Sequence, residues 1–437
     1  MRNICMVGTG YVGLVSGACL ADFGNKVICV DIDEERIDMI KRGVMPIYEP
    51  GLKEIVERNQ VAGRLEFTTD VESAVRKSQV IFSAVGTPQG EDGSADLSAV
   101  FNVAEDVAKY IEEYKIFVQK STVPVGTSEK VGEIIRNNLA ADVEFDRVSN
   151  PEFLREGSAI EDFLRPNRVV IGVETERAKE IMREIYRPLY LLETPIVFTK
   201  IKTAELIKYA SNAFLATKIS FINEIADLCE VVGADVDEVA VAMGLDKRIG
   251  PKFLHAGVGY GGSCLPKDVS AILHTARKED VELKIINAAF EVNKARLERL
   301  HEKLRSALGE LKGRVVAVLG LSFKPNTDDL REAPAIKFIM KLLDEGASVN
   351  TYDPVAMKNA KGILGERVSF LDNSYDAADG ADALVIMTEW NEFRVLDLER
   401  IKKLLKQPVL IDCRNIYKPS EVKKLGFKYQ SFGRMPD

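Results

Sequence analysis

Metal-ligand chemistry is sparse in this chain. It has three histidines and six cysteines (5, 19, 29, 229, 264 and 413), and no two cysteines form a CxxC pair. Cysteines scattered singly make neither a disulfide framework nor a tetrahedral metal centre, so no metal is expected. No apolar run approaches about 18 uninterrupted residues, which excludes a membrane-spanning helix. No signal peptide precedes the strand-like Asn3 to Val7, so a cytoplasmic protein is expected. An excess of positive charge is missing too. Lys and Arg number 59 against 67 Asp and Glu, a net charge of -8. Nucleic acid, which needs a basic face, is thereby excluded as the main partner. What remains is a 437-residue chain, 46% hydrophobic, long enough for two or three domains with cores of their own.

The stretch Gly259-Tyr260-Gly261-Gly262-Ser263-Cys264-Leu265-Pro266-Lys267-Asp268 sets one thiol between a glycine approach and a Pro-Lys-Asp exit. Glycines let backbone come close to a ligand, and Pro266 fixes the turn after the cysteine. Lys267 and Asp268 fall within one turn of the sulfur, where a cation favours the thiolate and a carboxylate can handle a proton. Cys264 is therefore a candidate nucleophile, the alternative being an inert loop cysteine.

The first 31 residues read as strand, glycine turn, helix and strand. Ile4 to Val7 runs into Gly8-Thr9-Gly10-Tyr11-Val12-Gly13; a helix follows from about Tyr11 to Phe23, and Lys26 to Asp31 is the second strand. In dinucleotide binding Gly8 makes the turn, Gly10 admits the pyrophosphate, and Gly13 lets the helix pack on the strand. The helix N-terminus faces the phosphates, and Asp31 can take the adenosine ribose hydroxyls. The acidic run from Asp31 to Glu35 favours NAD over NADP. Arg36, able to meet a phosphate or the adenine face, is the counter-signal.

Further α/β units come next. Val80 to Val85 leads into Gly86-Thr87-Pro88; Gln89 to Ala95 reads as a surface loop and about Leu97 to Tyr114 as a helix. Ile116 to Lys120 is a strand ending in Ser121-Thr122-Val123-Pro124. Open α/β sheets bind ligands at strand ends, so Thr87 and Thr122 are candidates for cofactor contact, with helix capping as the alternative. Glu152 and Glu156, four residues apart in Asn150 to Gly157, would share a face on a helical turn. Thr203 to Val232 and Leu283 to Leu308 lack proline and glycine and read as long helices suited to subunit contact. Lys208 and Asn212 project the same way on the first. Beyond Gly313 a second α/β domain opens with Val315 to Gly320, and Val349 to Asp353 repeats the acid-ended second strand. There the glycine fingerprint is missing, and Lys324, Arg331 and Arg414 are the cations at its strand ends.

Taken together the motifs resemble those of the nucleotide-sugar 6-dehydrogenases. The likeness is carried by GTGYVG (8–13), STVPVGT (121–127), NPEFLREG (150–157), the Lys208 to Asn212 helix, RIGPKFLHAGVGYGGSCLPKD (248–268), FKPNTDDLREAP (323–334) and DCRNIY (412–417), spanning nearly the whole chain. It implies two Rossmann-like doubly wound parallel sheets joined by a long central helix. It divides the chain into an NAD domain (1–200), a helical dimerisation region (201–310) and a nucleotide-sugar domain (311–437). The activity implied is four-electron oxidation of a nucleotide sugar with two NAD molecules acting in turn, in a homodimer or higher oligomer. RIGPKFLHAGVGYGG and KPNTDDLREAP lean towards UDP-glucose as substrate. GGSCLPKD, with Leu265 where many UDP-glucose members have Phe, also occurs in GDP-mannose members; N-acetylhexosamine nucleotides are a further alternative.

Position by position, the resemblance makes Cys264 the nucleophile, Glu152 the general acid/base, and Lys208, Asn212, Asp268 and Thr122 polar groups near the reacting carbon. Gly8, Gly10, Tyr11, Val12, Gly13, Asp31, Arg36, Thr87, Thr122, Glu156, Lys267 and Arg331 fall towards the cofactor. Glu152, Phe153, Leu154, Arg155, Lys208, Asn212, His255, Tyr260, Gly261, Phe323, Lys324 and Arg414 fall towards the substrate, with Arg248 reaching the neighbouring subunit's site.

Overall fold

The computed structural model describes residues 1–434. The chain divides into two compact units, Met1–Ser211 with Ser270–Asp280, and Asn212–Val269 with Val281 onward. The division falls inside one unbroken helix, Ile201–Val232.

The first unit is built on eight strands: β1 (Asn3–Val7), β2 (Lys26–Val30), β3 (Leu65–Thr68), β4 (Val80–Ser83), β5 (Lys115–Gln119), β6 (Phe145–Ser149), β7 (Val169–Val173) and β8 (Ile196–Thr199). Their order is β3-β2-β1-β4-β5-β6-β7-β8. Alternation along β1 sends Ile4 and Met6 into one core and Cys5 and Val7 into the other, so both faces are covered. The sheet is the expected doubly wound parallel one, with a single antiparallel pair, β6 and β7. An antiparallel neighbour starts at the edge where its predecessor ended, so residues 150–168 stay at the carboxyl edge with the glycine turn. The Gly157 N–H accordingly meets the Tyr11 hydroxyl at 2.8 Å and Glu49 Oε2 at 2.7 Å.

Two local expectations also change. The helix expected over 97–114 spans only Ser98–Ala108. Ile111 turns into the same core as Val107 and Ala108, and that packing ends the helix where no glycine or proline marks a stop. Glu152 and Glu156 share no helical turn: the next helix is Ala159–Leu164, and Pro151 and the buried Glu152 side chain keep the preceding segment irregular.

The second unit carries six strands: β9 (Val315–Leu319), β10 (Ser348–Tyr352), β11 (Ser369–Phe370), β12 (Ala383–Ile386), β13 (Val409–Asp412) and β14 (Lys428–Gln430). Their order is β11-β10-β9-β12-β13-β14, every pair parallel. The two sheets share a latch. In the first, Gly8 N–H donates to Val30 O, and Asp31 Oδ2 accepts from the Thr9 N–H and hydroxyl at 2.7 and 2.8 Å. In the second, Gly320 N–H donates to Tyr352 O, and Asp353 Oδ2 accepts from the Leu321 and Ser322 N–H groups at 2.7 and 3.2 Å. Beyond the turn the two diverge. A helix starts at Tyr11, three residues after Gly8, whereas Pro334 starts the corresponding one fourteen residues after Gly320. The second sheet therefore presents a loop at that strand end in place of a helix N-terminus.

The long helices match the sequence pattern, at Ile201–Val232 and Lys284–Leu308. Among the described residues no helix is long and apolar enough to cross a membrane.

Candidate active site

In the first unit the glycine turn fits a dinucleotide. Gly8 lies at φ +98°, and a Cβ on Gly13 would stand 1.9 Å from Gly8 O, so the helix Tyr11–Asp22 can approach β1 only with glycine there. A Cβ on Gly10 would meet no protein atom within 4 Å, leaving that side open to a phosphate at the helix start. Burial tends to raise the Asp31 pKa, but the Thr9 and Asp33 donors and Arg36 outweigh it and hold the carboxyl below its usual range. Arg36 Nη1 lies 3.1 Å from Asp31 and Nη2 3.4 Å from Asp33, so that cation is engaged by the acids at the strand end. Val12 packs at the edge of the core and the Tyr11 hydroxyl bonds Glu49. Thr87 caps no helix: its hydroxyl donates to Thr122 O at 2.9 Å, bringing the ends of β4 and β5 together.

At the same edge lies a buried ion pair. Glu152 Oε1 and Lys208 Nζ are 2.9 Å apart, with side chains 5% and 4% exposed. Desolvation pushes the Glu152 pKa up, yet Lys208, the Leu154 N–H and Lys120 together hold it below the usual carboxylate value. Phe153 lies beneath the Arg168 guanidinium at 3.6 Å and near Lys208 Nζ at 5.4 Å. Leu154 is half-buried, Glu156 likewise, and Arg155 is drawn outward into a bidentate pair with Asp162. Glu49, Lys120 and Arg168 join this edge without a signal in the sequence around them. Glu49 Oε1 accepts the Ala159 N–H at 2.8 Å at the start of the short helix.

In the second unit Cys264 is the one cysteine of the six that is not buried. Burial drives the other thiols upward, Cys5 to about 12. Cys264 immediately precedes the helix Leu265–Lys278, and its carbonyl accepts the Asp268 N–H at 2.9 Å. A helix start favours an anion placed there. Pro266 stands in that helix's first turn, where a missing N–H costs nothing. The Ser263 hydroxyl lies 3.6 Å from Cys264 Sγ. Asp268, 1% exposed, holds Lys267 Nζ on Oδ1 at 2.7 Å and Asn212 Nδ2 on Oδ2 at 2.6 Å. Lys208 and Asn212 thus each bind an acid in their own unit, one turn apart on one helix.

The glycines before the thiol are sterically required. A Cβ on Gly261 would fall 2.3 Å from Glu332 O, and Gly262 N–H donates to Arg331 O at 3.0 Å. The loops 259–264 and 323–334 therefore pack backbone to backbone, with the Phe323 ring against Gly262. Tyr260 is buried, which pushes its phenol up to about 12. Lys324 Nζ lies 5.4 Å from the Phe323 ring centroid, and the Arg331 side chain is paired with Asp329. Arg414 spans the strand ends, donating to Met387 O at 2.8 Å and Phe323 O at 3.1 Å, with Glu389 at 3.2 Å. His255 is exposed, and so is Arg248, which is paired with Asp246.

A glycine-turn dinucleotide sheet, a buried carboxylate–ammonium pair and an accessible thiol at a helix start define a dehydrogenase of the Rossmann type. Three family models then match in order along the chain: the NAD binding domain at residues 2–190, the central domain at 202–295 and the UDP binding domain at 317–419. The chain belongs to the UDP-glucose/GDP-mannose dehydrogenase family. It is 55% identical over 440 residues to UDP-glucose 6-dehydrogenase of Rhizobium meliloti, with all of both chains covered. Among solved structures, a UDP-glucose dehydrogenase from Pyrobaculum islandicum superimposes with a TM-score of 0.93 at 39% identity, covering 98% of this chain and 97% of the other. A UDP-D-ManNAc dehydrogenase from Pyrococcus horikoshii gives 0.86 at 30% identity, with 99% of both chains covered.

Proposed function

We propose that the protein oxidises UDP-glucose to UDP-glucuronate with two molecules of NAD per sugar, through a covalent intermediate on Cys264. The carrying observation is the exposure contrast among cysteines: five thiols are buried, whereas Cys264 is partly exposed at the start of a helix whose first turn holds Lys267 and Asp268, with Asn212 bonded to Asp268. The identity to a UDP-glucose 6-dehydrogenase over the full chain supports UDP-glucose among nucleotide sugars.

The glycine turn of Gly8, Gly10 and Gly13 would hold NAD, which would supply the hydride acceptor for both oxidations. Asp31 takes the ribose hydroxyls and, with Asp33, opposes a 2′-phosphate. The primary alcohol gives its hydroxyl proton to a base at the site and a hydride from the same carbon to that acceptor, and becomes an aldehyde. The Cys264 thiolate adds to that carbonyl carbon, and the resulting thiohemiacetal keeps the aldehyde from escaping. Oxidation of this adduct gives a thioester. Water, losing a proton to the Glu152 carboxylate, then attacks the thioester carbon; the C–S bond breaks and carboxylate and thiol leave. Lys208 and Asn212 offer an ammonium and an amide donor to the oxyanions that develop. Thr122 neighbours the reacting carbon. Tyr11, Val12, Thr87, Glu156, Lys267 and Arg331 contact the cofactor; Phe153 to Arg155, His255, Tyr260, Gly261, Phe323, Lys324 and Arg414 contact the substrate. Residues 1–200 form the NAD domain, 201–310 the helical dimerisation region and 311–437 the UDP-sugar domain.

The working form is a homodimer or larger. Phe214, Phe221 and Leu228 recur every seven residues on the long helix and are 66%, 43% and 55% exposed, an apolar stripe that a second copy would cover. Arg248, which lies on the surface, reaches the partner's substrate site. Buried free thiols at Cys5, Cys19, Cys29, Cys229 and Cys413 suit a reducing, cytoplasmic setting.

The test is a panel of nucleotide sugars with NAD or NADP. UDP-glucose should give two NADH per sugar, with NADP far slower. Preference for GDP-mannose or a UDP-N-acetylhexosamine would overturn the substrate, and equal rates with NADP would overturn the role of Asp31.

A further inference from the structure

Lys120 stands one residue beyond β5 and Asn150 one residue beyond β6. The strands are parallel neighbours, with Gln119 opposite Ser149, so pairing sets these two side chains next to each other at the carboxyl edge. Lys120 Nζ donates to Asn150 Oδ1 at 3.2 Å and lies 3.5 Å from the Tyr186 hydroxyl, which itself donates to the same Oδ1 at 2.5 Å. Asn150 is fixed in turn, its Nδ2 donating to Val170 O at 2.9 Å. The ammonium is 4% exposed and has no ion-pair partner within 4.0 Å among the described residues.

An ammonium so placed carries a desolvation cost that a neutral hydrogen bond repays only in part. The charges that face it explain its presence. Lys120 lines one pocket of about 50 Å³ with Glu152, Asp162, Arg168 and Tyr186. Burial lowers the Lys120 pKa to about 8, with the Glu152 carboxylate opposing that fall and the Lys208 ammonium adding to it. In return Lys120 is among the groups that lower the Glu152 pKa. Neither Asp162, already paired with Arg155, nor Tyr186, whose burial raises its phenol, supplies Lys120 with a counter-charge.

We propose that Lys120 is a positioning residue for Glu152: anchored through Asn150 and Tyr186, it acts with Lys208 to hold the Glu152 carboxylate in place as the base of the reaction. This rests on the proposed function, in which Glu152 is that base. The two lysines play different parts. Lys208 is hydrogen-bonded to the carboxylate and is a candidate for the oxyanion; Lys120 is bonded elsewhere and acts across the pocket. A change at Lys120 should therefore move the titration of Glu152 and leave cofactor binding alone.

The test is Lys120→Met, which keeps length and removes charge, with Lys120→Arg as the charge-keeping control. Isotope-edited infrared spectroscopy reads the Glu152 carboxyl band, assigned by its loss in Glu152→Gln. The midpoint should rise by about 1 pH unit in the Met variant, the scale of losing one nearby opposite charge, and return in the Arg variant. The acid limb of kcat should shift by the same amount with KM for NAD unchanged. An unmoved Glu152 midpoint, or a rise in both variants alike, would overturn the proposal. Should Lys120→Met not fold, Lys120→Gln, which can still bond Asn150, is titrated to the same criteria. If the wild type reduced NAD with no nucleotide sugar, the functional reading would fail, while the carboxyl titration would still decide this one.

Discussion

Replacing Lys208 with methionine should cost the first unit about 3 kcal/mol at pH 7. At 2.9 Å the two charges attract by roughly 6 kcal/mol at an effective dielectric near 20, before the desolvation of both groups is set against it. Removing one member of a buried pair commonly costs about 3–5 kcal/mol, because the other is left buried and unmatched. The low end applies here, since Lys120 and the Leu154 N–H still stabilise the Glu152 carboxylate. For a unit of some 200 residues this corresponds to a melting shift of about 6–12 °C. The pH dependence carries the sharper information. Glu152 has a folded pKa below its ordinary value of 4.5, so its stabilisation is complete above that value and is lost as pH falls through the lower folded one. In Lys208→Met, burial pushes the same carboxyl upward, so the penalty is largest near pH 8 and is relieved by protonation as pH falls. Urea unfolding of wild type, Lys208→Met, Glu152→Gln and the double variant, at pH 8 and pH 5, measures all of this. The double variant should lose clearly less than the sum of the singles, and the Lys208→Met deficit should shrink at pH 5. A deficit under about 1 kcal/mol, additive and independent of pH, would refute the reasoning.

Two further outcomes are expected from the site and the helix. In Cys264→Ser the first oxidation should partly survive and the second nearly stop, so the overall rate falls by about 10²-fold or more and NADH per sugar drops from two towards one. Uronate made at wild-type rate with two NADH would make Cys264 structural. Phe214→Glu with Phe221→Glu should shift sedimentation from dimer to monomer and remove the activity that depends on the partner's arginine; a wild type that sediments as a fully active monomer would sink the assembly.

Much of the fold is legible because its signals are local. The apolar runs 4–7 and 315–319, the glycine turn, and two long stretches free of proline and glycine each announce an element without reference to the rest of the chain. The thiol loop is legible for the same reason: its glycines, cysteine, lysine and aspartate are contiguous. Strand direction is not written in an apolar run, which is why the antiparallel β6–β7 pair could not be seen. The Glu152–Lys208 pair joins residues 56 apart, and only the sheet edge and the long helix bring them together. Lys120 and Glu49 look like ordinary surface charges in the sequence; their burial is created by neighbouring strand ends and by a loop returning over the glycine turn.

The carboxylate latch common to both sheets has a consequence for binding entropy. Asp31 and Asp353 tie the turn after the first strand to the end of the second using only the chain's own atoms, and Asp353 also accepts the Val355 and Ala356 N–H groups and the Trp390 indole. The shape of each turn is thus set when the unit folds. A ligand arriving at either strand end meets a rigid platform, and the loss of backbone freedom that usually weakens association has already been met by folding.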